Sequence, residues 1–183
     1  MLGIRKFLGL DGSKTKKGMI REGDSPETET VRRIVESLEQ MEPRRARYVA
    51  AFAYLLSRVA HADLDISPEE TREMERIVAE RGGLPHEQAI LVVQMAKTQN
   101  RLFGGTENFL VTREFNKIAT REEKLALLDC LYAVSSADQS ISTTEDHEIR
   151  NISRELLLSQ EDLVAARLAY RDHLAVLKNP EKA

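Results

Sequence analysis

The segment ADLDISPEE, from Ala62 to Glu70, returns as ADQSISTTE, from Ala137 to Glu145, so this chain writes one local unit twice. Asp63 and Asp138 stand 75 residues apart, and the same offset pairs Leu56 with Leu131, Val59 with Val134, Ile77 with Ile152, Glu73 with Glu148 and Glu80 with Glu155. Beyond Glu80 the register slips by one residue at Gly82-Gly83, after which Leu84 answers Leu158 and Glu87 answers Glu161. Apolar positions, turn acids and helix starts therefore recur together. The expectation is two related helical units that share one core about a pseudo-two-fold axis, since neither hairpin buries its apolar face alone.

Helical periodicity runs through most of the chain, and no segment of useful length alternates with period two. Ser25-Pro26 reads as a cap and first helical position for a helix to about Gln40, with Val31, Ile34, Val35 and Leu38 on one face. Pro43 ends it, and Arg44 to about His61 forms a core helix through Val49, Phe52, Leu55, Leu56 and Val59. Its basic start, Arg44, Arg45 and Arg47, reads as a solvated first turn. Ser67-Pro68-Glu69-Glu70 opens a helix with Met74, Ile77 and Val78 inward and Gly82-Gly83 as its stop. Pro85 to Thr98 follows through Ile90, Val93 and Ala96, then a turn over Asn100 to Gly105 and a helix from Glu107 to Ile118 carrying Phe109, Leu110, Phe115 and Ile118. Thr120 to Glu123 has capping-box form, and the second copy repeats the plan over Leu125–Ser136, Thr143–Leu157 and Gln160–Leu177. The fold class is all-α, a single-domain bundle of seven or eight helices built from two related halves. The expected layout is a flexible N-terminal segment over 1–24, a domain over 25–177 with halves at about 44–98 and 120–177, and a tail over 178–183.

Composition narrows the function. Charged residues make up 31% and aromatics 5%, with no tryptophan, and the formal net charge is −3, which leaves no electrostatic footprint for nucleic acid. Cys130, the single cysteine, lies in the apolar run LALLDCLYAV opposite Leu55 and reads as a buried small hydrophobe. No run approaches the ~20 apolar residues of a spanning helix, and MLGIRKFLGL is too short and interrupted for a signal peptide. The expected location is the cytoplasm. Leu2, Ile4, Phe7, Leu8 and Leu10 nevertheless alternate with Arg5 and Lys6 ahead of Lys14, Lys16 and Lys17, an amphipathic pattern suited to docking on the body or to weak contact of Met1–Leu10 with the membrane inner face.

The repeated turns hold the candidate site: Asp63, Asp65 and Glu70 in the first, Asp138 and Glu145 in the second. In each, an aspartate ends a core helix, an isoleucine (Ile66, Ile141) plugs the turn, and a glutamate at the third position of the next helix points back toward the aspartate. Gathered carboxylates repel unless a cation or backbone donors neutralise them, and hard oxygens suit Ca²⁺ or Mg²⁺. Capping competes with metal, because Ser67–Glu70 and Ser142–Glu145 both fit the S-x-x-E box. The aspartates can likewise accept amide bonds in an Asx turn.

These paired motifs and their all-helical setting resemble the TerB family of tellurite-resistance proteins over about Arg44 to Tyr170. That family's turn reads roughly D-G-x-I-x-x-x-E, met here by Asp63, Ile66 and Glu70 and by Asp138, Ile141 and Glu145, while Leu64 and Gln139 replace the glycine. The resemblance implies a helical domain of two related halves with an acidic, cation-binding surface, acting in tellurite resistance or a related stress response. A true EF-hand fits less well, since Val59 and His61 occupy its earlier ligand positions.

His61, His86, His147 and His173 form no HExxH or Cys/His set, Gly104-Gly105-Thr106 lacks the lysine of a phosphate loop, and no nucleophile has a base at a recognisable spacing. The expected function is non-enzymatic binding of a divalent cation or a protein partner through the acidic turns. The alternative is a scaffolding module in which those acids only cap helices and the N-terminal segment recruits it to a membrane-associated partner.

Overall fold

Glu42 and Pro43 start the helix on which the domain is built. The Glu42 side chain accepts the Arg45 N–H at 3.0 Å, Pro43 takes the first turn, and α2 runs over Pro43–Val59. Every residue from Tyr48 to Leu56 is buried. A helix that is apolar all round is stable only where neighbours cover every side.

The computed structural model describes residues 26–60, 67–99 and 108–178. Around α2 stand α1 (Pro26–Glu39), α4 (His86–Gln99), α5 (Asn108–Ile118), α6 (Arg121–Ser135) and α7 (Thr143–Glu155), all of which touch it. The helix α3 (Pro68–Gly82) lies against α4 and α6, and α8 (Gln160–Ala169) against α6. A 3₁₀ turn over Arg171–His173 leads to the single-turn α9 (Ala175–Lys178). Among the described residues the one β-type pairing is a parallel bridge between Ile141 and Leu174, so the fold is all-α.

The two glycines at the end of α3 do separate jobs. Gly83, at φ 63°, is the left-handed C-cap. A Cβ on Gly82 would stand 2.8 Å from Phe52 Cζ and 3.7 Å from Cys130 Sγ, so its bare backbone lets α3 close on α2 and α6. Cys130 is fully buried, as expected, and burial pushes its thiol far up. Tyr48 stacks on Phe115 with ring centroids 5.2 Å apart, joining α2 to α5.

Several expectations change. The basic start of α2 is a set of ties rather than a solvated turn: Arg44 donates to the Ile118 carbonyl, and Arg45 donates to Gln88 Oε1 at 2.7 Å while lying over the Tyr48 ring. Ile90 is only half-buried, whereas Leu91, Val92 and Val93 enter the core, because α4 is covered by α2 on one side and α3 on another. Leu110 is exposed, its helix turning Val111 and Phe115 inward instead. The helix expected to reach Leu177 stops at Ala169, where the Tyr170 ring stacks on Tyr132 and its hydroxyl donates to Asp129 Oδ1 at 2.9 Å. The expectations for residues 1–24, for the turn over 100–105, for the Phe109 side chain and for the tail after Lys178 lie outside the described residues.

Gly82→Ala should lower stability by about 1–3 kcal/mol, since the fully buried Phe52 ring must shift to admit a methyl group. A reduced urea midpoint at unchanged slope is the expected result.

Candidate functional site

In the second turn the chain leaves α6 at Ser136, whose hydroxyl and N–H both bond back into the helix. Asp138 is exposed, and its Oδ1 accepts the Ser140 N–H at 3.1 Å, an Asx turn that closes the corner. Gln139 sits at φ 68°, the left-handed conformation that glycine adopts at no steric cost. A glutamine in that conformation carries about 1 kcal/mol of strain. Ile141 is fully buried, as expected of a plug. Ser142 and Glu145 then form a complete capping box: the Ser142 N–H donates to Glu145 Oε2 at 2.8 Å, and the Glu145 N–H to Ser142 Oγ at 3.2 Å.

A strap from the C-terminal side holds this turn from outside. The Ile141 N–H donates to the His173 carbonyl at 2.7 Å, the Ala175 N–H donates to the Ile141 carbonyl at 2.9 Å, and Leu174 beside them is buried. Both backbone groups of the plug are thus satisfied by a segment some thirty residues on in sequence. The break at Tyr170 makes this return possible.

In the first turn, His61, Asp63, Asp65 and Ile66 lie outside the described residues. Glu70 forms the matching box with Ser67, at 2.8 Å and 3.1 Å, and those hydrogen bonds hold its carboxyl below the usual glutamate range. The Ser67 N–H thus favours the ionised form of this acid. Among the described residues no three His, Cys, Asp or Glu side chains come together as a metal site. In the second turn Asp138 and Glu145 each use one carboxylate oxygen to accept an N–H, and hard oxygens of this kind suit Ca²⁺ or Mg²⁺.

Among the described residues are two ion networks that the motif pattern does not reveal. Arg58, in the last turn of α2 and with its side chain only 8% exposed, donates to Glu148 Oε1 at 2.7 Å and to Glu155 Oε2 and Oε1 at 2.7 and 3.1 Å. Thr112 adds a bond to Glu155 at 2.7 Å, so α2, α5 and α7 meet at one guanidinium. Desolvation raises Glu155, but the bonds from Arg58 and Thr112 outweigh it and hold the carboxyl below its usual range. The sequence counterparts Glu73 and Glu80 instead grip the exposed Arg76 of their own helix, at 2.6 and 2.5 Å. The second network centres on Asp146, which is buried and takes a bidentate pair from Arg167 at 2.9 and 3.1 Å, pinning α8 to α7. The only sequence signal for either network was the matched spacing of Glu73/Glu80 and Glu148/Glu155.

Two expectations follow from this geometry. Leu174→Ala should cost about 2–4 kcal/mol, and it should speed hydrogen exchange at the Ile141 amide beyond that global loss. Glu155 titrates lower in the folded chain than its unfolded value of ~4.3. Its stabilisation is therefore complete above that pH and is lost as pH falls through the folded value. Acid unfolding curves of Glu155→Gln should accordingly be flatter below that pH than those of the parent.

No curated protein and no solved structure matches the chain. The family model for tellurite resistance protein TerB matches residues 49–168, from the middle of α2 to the end of α8, and so spans the capping boxes of the two acidic turns, the turns themselves and the two ion networks. With well over half its length matched, this helical chain belongs to the TerB family.

Proposed function

We propose that this TerB chain is a non-catalytic, cytoplasmic binding module that engages a protein partner through its acidic turns, in the tellurite-resistance or related stress setting that the family name carries. One observation supports this most: the second turn is already shaped, by the Asx bond at Asp138, the left-handed Gln139, the capping box and the strap, and it keeps the Asp138 side chain exposed. A carboxylate held in advance at the tip of a rigid turn loses little entropy on meeting a lysine or arginine of a partner. The buried, unreactive Cys130 offers no nucleophile.

Removal of the charge tests this reading. Asp138→Asn, which keeps the Oδ1 acceptor for the Ser140 N–H, should leave the turn intact and weaken capture of the partner from native extract by about tenfold or more. An unchanged set of captured proteins would remove the turn from recognition.

A second reading is favoured by Asp65, which gives the first turn a third carboxylate beside Asp63 and Glu70, where the second turn has Ser140. Three hard donors and nearby carbonyls suit Ca²⁺ or Mg²⁺. Calorimetric titration separates the two: on this reading, saturable heat appears in the intact chain, survives Asp138→Ala and vanishes in Asp63→Ala with Asp65→Ala. Heat that is absent from the intact chain would discard it.

A further inference from the structure

Among the described residues nothing covers the outer face of α8, which is largely apolar. Val164 is 51% and Leu168 60% exposed, and with exposed Ala165 and Glu161 they fall at the i, i+3, i+4 and i+7 positions of one helical face. The opposite face is fixed, with Leu163 buried and Arg167 bound to Asp146. At the corner before α8, Leu157 stands at φ 59° and is 81% exposed. A leucine there carries about 1 kcal/mol of backbone strain while burying little. The left-handed backbone there closes the end of α7, the Leu157 N–H donating to the Arg154 carbonyl at 3.0 Å and the Leu158 N–H to the Ser153 carbonyl at 3.1 Å, so it is the exposed leucine side chain alone that adds to the apolar surface.

We propose that residues 2–10 of this same chain dock on the outer face of α8 as a short amphipathic helix. Ile4, Phe7 and Leu8 supply an apolar face at i, i+3 and i+4, flanked by Arg5 and Lys6. Charge favours the pairing. Residues 1–25 hold six Lys/Arg against three Asp/Glu, leaving 21 against 27 in the remainder, a balance of +3 facing −6. Glu161, on the same face as Val164 and Leu168, places one of those acids beside the apolar stripe. Reach is sufficient: the fifteen residues from Asp11 to Ser25 span up to ~50 Å when extended, against a domain of about 150 residues with a radius of gyration near ~15 Å. A nine-residue helix is ~13 Å long, close to the ten-residue α8 it would cover. The proposal does not depend on the role of the acidic turns.

The test uses the full chain with a nitroxide placed through Gly3→Cys. Cys130 is fully buried and leaves the new thiol as the site of labelling. The amide signals of Val164, Ala165 and Leu168 should lose more than half their intensity, and recover when the nitroxide is reduced. Leu168→Asp and, separately, Phe7→Asp should restore the signals, with unchanged circular dichroism. Undiminished α8 signals overturn the proposal, and if the segment then binds phosphatidylcholine/phosphatidylglycerol vesicles it belongs to a membrane surface instead. Broadening that passes between separately labelled molecules also overturns it, in favour of a second copy.

Discussion

Burial of the Tyr48–Leu56 stretch governs this molecule. Nine successive buried residues leave α2 no solvent face, so α1, α4, α5, α6 and α7 must all come to it. The cost of that position falls on the one charged side chain in the second half of α2, Arg58, which is desolvated at its end. Glu148 and Glu155 from α7 answer it, and Thr112 of α5 completes the set. Removing a single member of such a group leaves a charge without its partner in a poorly solvated place, and this typically costs more than the intact pair contributes. The hydrophobic constraint thus determines where the ion network has to be.

The acidic turn depends on the same body at its other end. Ile141 is anchored in the core, and its backbone is held by the strap that Tyr170 bends toward it. With the plug fixed, Asp138 and Glu145 each accept a local amide, and these bonds shape the turn. Strain at Gln139 is tolerated because the bonds on either side over-determine the corner. The proposed role in recognition rests on this preset polar turn.

Much of this was legible in the sequence, for identifiable reasons. Ser67, Thr120 and Ser142, each with glutamate three residues on, gave their helix starts correctly because capping is a local bond set by spacing alone. The apolar stripe of α2 gave the core helix, and Gly83 its neighbour's end. What escaped depended on long-range contact. Nothing local marks Tyr170 as a break, since no glycine or proline stands near it; the stop comes from Tyr132 and Asp129, some forty residues away. Arg58 reads as an ordinary polar residue near a helix end until α7 is placed beside it. Asp146, next to a capping glutamate, gives no sign that it will be buried against Arg167. By contrast, the S-x-x-E spacing anticipated that Glu70 and Glu145 each give an oxygen to an N-cap amide.

The central claim is that the second acidic turn is built by the chain itself. Hydrogen exchange on the full chain, stripped of metal with a chelator and then resupplied with Ca²⁺ or Mg²⁺, tests it most directly. The account predicts that the Ile141, Ser142, Glu145 and Ala175 amides are protected in the stripped protein and unchanged by either cation. Amides that exchange freely until a cation is added would contradict it.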